Sequence, residues 1–341
     1  MSDALAWPKP PSAEPIRGEF CVRVARVMRH TEEVSGYLLK RLDGQALPPA
    51  EAGAHIDIYL PGDLARSYSL CGDPARSAEG YEIAVKREER GRGGSRALHQ
   101  WAREGQLLRI GRPRNLFALA TQAPHHRLLG GGIGVTPLVA MAHSLHARGA
   151  SFDLHVFVRS ADHLPLRAAL EAAPWRDRVT VHRDDAPETR ADPATLVAMA
   201  PTGAHIYYCG PEGFMDRLRE ACHDWPAERV HFEHFGAPPK APPPGTDAGT
   251  DASAEAGFEL ILARRQRRLH VPPGKSIAMV LHGAGIPVDT VCEQGICASC
   301  ITPYLDGTPD HQDSCLTDEE RATHVAVCCA RALTPTLTLD I

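Results

Sequence analysis

The segment Cys292-Glu-Gln-Gly-Ile-Cys297-Ala-Ser-Cys300 places three cysteines within nine residues, and Cys328 follows 28 positions later. Six of the ten cysteines fall in the last fifty of 341 residues. Small residues (Gly295, Ala298, Ser299) stand between these thiols, so one tight loop can wrap around a compact inorganic core with its N–H groups directed at the sulfurs. This crowding indicates a site rather than scattered buried thiols.

The cysteine spacing C-x4-C-x2-C with a distant fourth cysteine is the plant-type pattern for a 2Fe-2S cluster. We therefore predict Cys292, Cys297, Cys300 and Cys328 as the metal ligands. A structural zinc site is the main alternative, but such sites usually combine two C-x2-C motifs, and only one C-x2-C motif is present here. Inert thiols are a second alternative. Cys329 is a possible substitute for Cys328, and we expect no role for Cys315.

Charge and composition exclude some classes of protein. The chain has 37 basic and 42 acidic residues and a net charge of −5, which argues against a protein that coats nucleic acid. Met1 to Pro11 contains no apolar stretch that could serve in a signal peptide, so we expect reduced thiols and a cytoplasmic location. The uncharged segment Leu128–Ala147 is long enough to span a membrane, but its glycines, its proline and two histidines favour a strand, a turn and a buried helix.

A composition shift divides the chain. Residues 237–257 are rich in proline and then in Thr, Asp, Ala, Gly and Ser, without a core-forming residue. This composition predicts a stiff spacer followed by flexible coil. We predict a multidomain chain with domains at 16–118 and 119–236, a linker at 237–257 and a C-terminal module at 258–341.

The body of the chain shows two patterns of secondary structure. The first half has short β-rich runs between Gly, Pro and Asp, which predict an antiparallel β-barrel: Phe20–Val27, His55–Leu60, Ser67–Cys71 and Tyr81–Arg87. The second half alternates strands and helices, which predicts an α/β doubly wound parallel sheet. Its predicted strands are His126–Leu129, Phe152–Val158, Val179–His182 and His205–Tyr208, and its predicted helices are Pro137–Ala147, Leu166–Ala173 and one from Glu212.

The C-terminal module has an α+β pattern. We predict a hairpin (Phe258–Ala263 and Arg268–Val271), a helix at Ser276–Gly283, the cysteine loop and a final strand at Leu337–Ile341. The arginines between 264 and 268 are expected to form a solvated hairpin tip, with a docking contact as the alternative.

Two glycine-containing segments of the second half indicate nucleotide binding. Leu129-Gly-Gly-Gly-Ile-Gly-Val-Thr-Pro137 follows a predicted strand and opens a predicted helix, where backbone N–H groups can approach a pyrophosphate. Such a turn can also be only a tight connection. The segment Tyr207-Tyr-Cys-Gly-Pro211 strengthens the interpretation, because it ends another strand at the same, ligand-binding edge of the sheet.

Two segments of the predicted barrel indicate a second phosphate-containing ligand. In Arg66-Ser67-Tyr68-Ser69, the arginine guanidinium can donate paired hydrogen bonds to a phosphate. The tyrosine ring can stack on an aromatic ligand, and the serine hydroxyl groups can hydrogen-bond a ring atom. Gly93-Gly94-Ser95 adds a turn suited to a phosphate. Alone, an arginine beside a strand is usually just solvated.

Together these motifs resemble the phthalate dioxygenase reductase type, which includes the vanillate demethylase reductases. That family has a flavin barrel, a pyridine-nucleotide domain and a C-terminal plant-type ferredoxin domain of the β-grasp type, in this order. The resemblance covers nearly the whole chain after about residue 16. One departure is Cys297-Ala298-Ser299-Cys300, because the family usually has glycine at the position of Ala298, and alanine is poor at positive φ.

The resemblance implies roles for particular residues. Arg66, Ser67, Tyr68 and Ser69 would hold FMN, Ala84, Val85 and Lys86 would lie along the flavin, and Gly93, Gly94 and Ser95 would grip its phosphate. Gly132 and Thr136 would face the cofactors, Cys209, Gly210 and Pro211 would frame the nicotinamide, and Phe235 would lie over the flavin ring. Ser69, Cys209 and Phe235 would be the catalytic group, with a packed small residue as the alternative for Cys209.

The implied function is electron transfer. NAD(P)H gives up two electrons together and a 2Fe-2S cluster accepts one at a time, so a flavin belongs between them. The expected order is NADH, FMN, cluster and then a Rieske-type terminal oxygenase, in a transient complex with a monomeric reductase. NADPH is less expected, because no clear basic cluster follows the second nucleotide-domain strand. Alternatives are a haem monooxygenase or soluble ferredoxin as acceptor and, outside enzymes, a redox sensor.

Overall fold

The computed structural model describes residues 19–60, 64–89, 93–235, 257–288, 290, 295, 298–313 and 315–341. The chain divides into two compact units between Phe235 and Gly236. Apart from Gly257, the linker predicted at 237–257 lies outside the described residues, as do Cys292 and Cys297. Among the described residues, no helix has both the length and the apolar character needed to cross a bilayer.

The first half of the N-terminal unit is an antiparallel sheet of six strands in the order β4-β3-β6-β1-β2-β5. Val22 and Val24 of β1 and Ile56 and Ile58 of β3 are fully buried, so inward-facing apolar residues build its core. The strands are β1 (Phe20–Arg29), β2 (Val34–Arg41), β3 (His55–Leu60), β4 (Leu64–Ser69), β5 (Tyr81–Lys86) and β6 (Leu107–Ile110).

The sheet curls into a barrel. Leu70, just after β4, bridges to Ile83 of β5, so the two outer strands of the sheet meet. The helix α1 (Gly94–Trp101) follows β5 and buries Ala97 and Leu98 in the barrel core. The sequence did not predict β2 and β6, because β2 contains Gly36 and β6 is only four residues long.

The second half of the N-terminal unit is a parallel sheet of five strands in the order β11-β10-β7-β8-β9. The strands are β7 (His126–Gly131), β8 (Phe152–Val158), β9 (Val179–Arg183), β10 (His205–Cys209) and β11 (Val230–Glu233). The helices are α2 (Val135–Ala147), α3 (Arg167–Ala172), α4 (Pro193–Ala198) and α5 (Glu212–Ala221). Separate apolar clusters pack against the sheet, one containing Leu128 and Leu138 and one containing Leu129 and Met215. The central position of β7 places its glycine turn between neighbouring strands, which is the switch point of a doubly wound sheet.

The C-terminal unit has a mixed sheet in the order β13-β12-β18-β14-β16 and a small sheet of β15 and β17. Strands β12 and β18 pair in parallel, and the pairs β12–β13, β14–β18 and β14–β16 are antiparallel. The elements are β12 (Phe258–Leu262), β13 (Arg267–Val271), α6 (Ile277–Gly283), β14 (Ile301–Asp306), β15 (Pro309–Asp310), α7 (Asp318–Arg321), β16 (His324–Ala326), β17 (Arg331–Ala332) and β18 (Thr336–Leu339). The predicted hairpin, helix and last strand are present, whereas the short strands β14 to β17 were missed.

Candidate functional site

The predicted nucleotide turn lies against the Tyr207–Pro211 segment. Strands β7 and β10 are parallel neighbours, with Cys209 in register with Gly130. A Cβ at Gly134 would overlap the carbonyl of Cys209, and a Cβ at Gly131 would come within 2.9 Å of Pro211 Cδ. The close approach of these two backbones therefore requires glycine, and it brings both predicted segments to one edge of the sheet.

Helix α2 begins directly after the turn. Gly132 has a φ of +52°, and helix α2 begins at Val135. Thr136 is buried, and its hydroxyl donates to the Ile133 carbonyl at 2.9 Å. Thr136 thus stabilises the turn, which places the N-terminal N–H groups of α2 at the ligand-binding edge of the sheet.

The barrel brings Arg66 and the Gly93–Ser95 turn together. A Cβ at Gly94 would overlap Arg66 Cγ, so the arginine side chain lies directly on this glycine. Gly93 has a φ of +86° and precedes helix α1, and Ser95 Oγ accepts a hydrogen bond from the Glu88 N–H at 3.0 Å. A guanidinium beside backbone N–H groups at a helix start is the donor set that a phosphate needs.

Strand β5 lies close to the Gly132–Gly134 turn of the parallel sheet. Ala84 and Val85 are buried, and Lys86 Nζ lies 2.7 Å from Glu88 Oε1. The predicted flavin-contacting strand and the predicted nucleotide turn are therefore neighbours, as a two-cofactor site requires.

Sequence reasoning missed Glu233, the last residue of β11. It is in register with Cys209, and its Oε2 accepts a hydrogen bond from Ser69 Oγ at 3.1 Å. Burial raises the pKa of Glu233 to about 7, although the Ser69 hydroxyl acts to lower it. The sequence signal that could have indicated Glu233 is its position between the aromatic residues Phe232 and His234.

Two predicted catalytic residues differ in exposure. The Cys209 side chain is fully buried, and burial together with the Glu233 carboxyl raises the pKa of its thiol well above the usual range. Cys209 is therefore a neutral thiol. Phe235, two residues after Glu233, is 42% exposed and is free to cover a ligand.

The remaining motif residues lie on β4. Ser67 Oγ donates to Asp57 Oδ1 at 2.8 Å, and Asp57 Oδ2 also accepts from the Arg114 guanidinium at 2.6 Å. Tyr68 packs against the barrel core, and burial raises the pKa of its hydroxyl. These contacts fit a flavin: a partly buried aromatic face, hydroxyl groups beside it and the Arg66 phosphate cradle share one strand.

The described part of the cysteine loop fits a 2Fe-2S cluster. Cys300 and Cys328 are buried in the core of the C-terminal unit, and the Gly295 N–H donates to Cys328 Sγ at 3.3 Å. Cys329 Sγ donates instead to the Ala326 carbonyl at 3.6 Å. Backbone N–H donors are the usual partners of cluster thiolates, so this arrangement favours Cys328 over Cys329 as the fourth ligand.

The sequence also missed Asp313, which supports this loop. Its side chain is 0% exposed, and its Oδ2 accepts from the Leu316 N–H at 3.1 Å and lies 3.6 Å from Arg321 Nη2. A Cβ at Gly295 would lie 2.7 Å from Asp313 Cβ. Gly295, with a φ of +69°, is therefore fixed against a buried carboxylate.

Comparison with known proteins agrees with this geometry. Residues 260–333 match the 2Fe-2S iron-sulfur cluster binding domain family. The chain is 40% identical over 306 residues to the vanillate O-demethylase oxidoreductase of Pseudomonas sp. (strain HR199 / DSM 7063), covering 88% of this chain and 93% of that protein.

Two solved structures are similar to the chain. Phthalate dioxygenase reductase, described as a modular structure for electron transfer from pyridine nucleotides to [2Fe-2S], superposes with a TM-score of 0.72 at 34% identity, covering 95% of this chain and 98% of that one. An intact type IV self-sufficient cytochrome P450 monooxygenase superposes with a TM-score of 0.78 at 33% identity, covering 96% of this chain and 43% of that one.

These matches confirm the expected fold class and the expected reductase class. The barrel, the doubly wound sheet and the ferredoxin-type module occur in the predicted order. The roles of the individual site residues stay predictions. The chain therefore belongs to the family of phthalate dioxygenase reductase and vanillate O-demethylase oxidoreductase, oxidoreductases that use NADH, FMN and a 2Fe-2S cluster to supply electrons to oxygenases.

Proposed function

We propose that this chain passes electrons from NADH through FMN to the cluster held by Cys292, Cys297, Cys300 and Cys328, and from there to a terminal oxygenase. The observation that carries the proposal is the meeting, at one edge of the parallel sheet, of the glycine turn with β5 and with the Ser69–Glu233 pair. That edge can hold a nicotinamide and a flavin together. When bound, FMN supplies the chemistry that accepts an electron pair and releases single electrons.

In this function the barrel residues bind and orient FMN. Arg66, with the N–H groups of Gly93, Gly94 and Ser95, would hold the phosphate, since the arginine already lies on Gly94. Ser67 and Tyr68 would contact the ring system, and the strand Ala84–Lys86 would lie along it. Asp57, which is buried and paired with Arg114, accepts the Ser67 hydroxyl and fixes its orientation.

The parallel sheet would position the nicotinamide. Cys209, Gly210 and Pro211 would frame the ring, with Gly132 and Thr136 on the opposite side of the same crevice. The neutral Cys209 thiol adds bulk without charge, and Phe235 would exclude water from above. Ser69 would hydrogen-bond the flavin while Glu233 holds or releases a proton at its carboxyl, because its pKa of about 7 allows both states near neutral pH.

The protein that accepts electrons from the cluster is a separate part of the proposal. One similar protein is named vanillate O-demethylase oxidoreductase. We therefore propose that the acceptor is a Rieske-type oxygenase. It would form a transient complex with this chain as a monomeric, cytoplasmic reductase. A haem monooxygenase is the second candidate, because the chain superposes on part of a self-sufficient cytochrome P450. Reconstitution with purified oxygenase components and measurement of NADH-dependent product formation would distinguish them.

The test of the electron path is Cys300→Ser in the full chain. We expect NADH-dependent cytochrome c reduction to fall at least about tenfold while NADH-ferricyanide reduction persists, because the flavin half does not depend on the cluster. Cys315→Ser is the matched control in the same unit and should keep both activities. Survival of cytochrome c reduction in Cys300→Ser would show that the cluster assignment is wrong, and loss of both activities in the control would make the first result uninformative about ligation.

A further inference from the structure

Strands β3 and β4 direct a strip of polar side chains toward Glu233. His55 pairs with Ser69 in this antiparallel ladder, so their side chains emerge on the same face. Ser69 Oγ donates to Glu233 Oε2 at 3.1 Å, and His55 Nδ1 lies 3.9 Å from Glu233 Oε1. The two oxygens of one buried carboxyl are thus approached by two residues that face each other across adjacent strands.

The backbone of His55 is fixed by a reciprocal pair of hydrogen bonds with Arg114. Its N–H donates to the Arg114 carbonyl at 2.8 Å, and its carbonyl accepts from the Arg114 N–H at 3.0 Å. Only 4% of the residue is exposed, and within the described residues neither ring nitrogen has a hydrogen-bond partner. A buried donor without an acceptor costs free energy, so a fixed, unpartnered ring beside a carboxyl indicates a role in its protonation chemistry.

Burial, with the nearby Arg114 guanidinium, keeps the His55 imidazole neutral. Burial and the Arg114 guanidinium lower the pKa of His55 to about 4, and the Asp57 carboxylate opposes them only in part. Asp57 and Arg114 form their own ion pair at 2.6 Å. On the Glu233 side the Cys209 thiol stays protonated because burial raises its pKa. A neutral imidazole offers one donor and one acceptor, so it can partner a carboxylate or a carboxylic acid.

We propose that His55 is a positioning residue that holds Oε1 of Glu233, so that Oε2 stays directed at Ser69 while the carboxyl gains and loses its proton. This rests on the proposed function, in which Ser69 contacts the flavin. No residue of the cysteine loop is involved. The proposal assigns His55 to the catalytic edge, although it lies on a barrel strand outside every motif in the sequence.

The first test is the pH profile of flavin reduction by NADH in single turnover, measured on the holoenzyme. His55→Leu removes both ring nitrogens at similar volume, and we expect the apparent pKa to rise by about one pH unit, because an apolar side chain then replaces the polar ring 3.9 Å from Oε1 and disfavours the charged carboxylate. His55→Gln keeps a donor and an acceptor and should restore the wild-type profile. An unchanged profile in His55→Leu would overturn the proposal.

A double variant tests whether the pKa shift caused by His55→Leu arises at the Glu233 carboxyl. In a Glu233→Gln background the shift caused by His55→Leu should vanish, because the titrating carboxyl is gone. Persistence of the shift there would mean that His55 acts on another group and would also overturn the proposal.

An infrared titration of the oxidised holoprotein without NADH separates this proposal from the proposed function. The carboxyl band that is lost in Glu233→Gln should titrate at higher pH in His55→Leu than in the wild type and in His55→Gln. If that band shifts while NADH reduces no flavin, the pairing stands and the proposed function fails. If the band does not shift in a folded His55→Leu protein, the pairing is wrong whatever the activity.

Discussion

Ala298 occupies a backbone conformation that suits glycine. Its φ is +61°, in the left-handed region that costs a residue with a Cβ about 1 kcal/mol. The sequence pointed to this strain, because alanine stands where related cysteine loops have glycine. The preceding residue, the predicted ligand Cys297, lies outside the described residues, but Cys300 follows two positions later in the buried core.

Ala298→Gly should therefore stabilise the holoprotein. We expect a gain of up to about 1 kcal/mol, since relief of the strained φ exceeds the added freedom of the unfolded chain. The measurement is the denaturant midpoint followed through the visible absorbance of the cluster. Ala284→Gly is the control, because Ala284 has a φ of −88° and should gain nothing. Equal gains in both variants would contradict the strain argument.

The sequence revealed only part of the site at the level of residues. Arg66 to Ser69 and the four cysteines could be proposed from the sequence because they form recognisable motifs, and their roles stay predictions. Glu233 and His55 could not, because each acquires its meaning from a contact with a distant residue; Ser69 and Glu233 are 164 positions apart. Asp313 was missed for the same reason, as its partner Gly295 lies in another loop.

Among the structural elements, those with an uninterrupted apolar pattern were predictable. Strands β2 and β14 have eight and six residues but were missed, because Gly36 and Pro303 interrupt their patterns. Strands β3 and β8 match their predicted bounds, His55–Leu60 and Phe152–Val158. The four-residue strands β6 and β11 are too short for an alternating pattern to distinguish them from loop segments. They exist because neighbouring strands offer them backbone partners.

The turn between β7 and α2 gives a prediction for an element. Gly134→Ala should destabilise the N-terminal unit by about 2 kcal/mol, because the new Cβ overlaps the Cys209 carbonyl and the backbone must move. It should also weaken NADH binding, seen as a raised KM. Urea denaturation measures the first effect and steady-state kinetics the second.

Gly213→Ala is the matched control for this substitution. Gly213 lies in α5 with no atom within 4 Å of its Cβ position, so alanine there should be neutral or stabilise by about 0.5–1 kcal/mol. If Gly134→Ala behaves like Gly213→Ala, the close contact of the two segments does not exist in solution.

At the scale of the whole molecule, buried histidines couple stability to pH. His126, His205 and His231 lie on neighbouring strands of the parallel sheet, and burial lowers the pKa of each, for His231 to about 4. A base with a lowered folded pKa binds protons more readily when unfolded. Its stabilising contribution is therefore complete above the unfolded pKa of about 6.5 and is lost as the pH falls toward 4.

We expect the N-terminal unit to lose about 1–2 kcal/mol of its free energy of unfolding between pH 7.5 and pH 5. Glu233 acts in the opposite direction, since its raised pKa favours folding at lower pH, but the histidines with lowered pKa values, His55 among them, outnumber it. Urea titrations at several pH values measure the slope. His231→Gln should flatten it, and a slope that is unchanged in this variant would show that other groups titrate.

The parallel pairing of β12 with β18 affects the order in which the two units can fold during synthesis. β12 begins the C-terminal unit at Phe258 and pairs with Thr336–Leu339, which also pairs with β14. On the ribosome, the sheet of this unit therefore lacks a central strand until Thr336–Leu339 has been synthesised. The N-terminal unit needs no such delay, because all its strands precede residue 234. Vectorial synthesis thus lets the N-terminal unit fold first, and the core around the predicted ligands Cys300 and Cys328 is completed only after β18 has emerged.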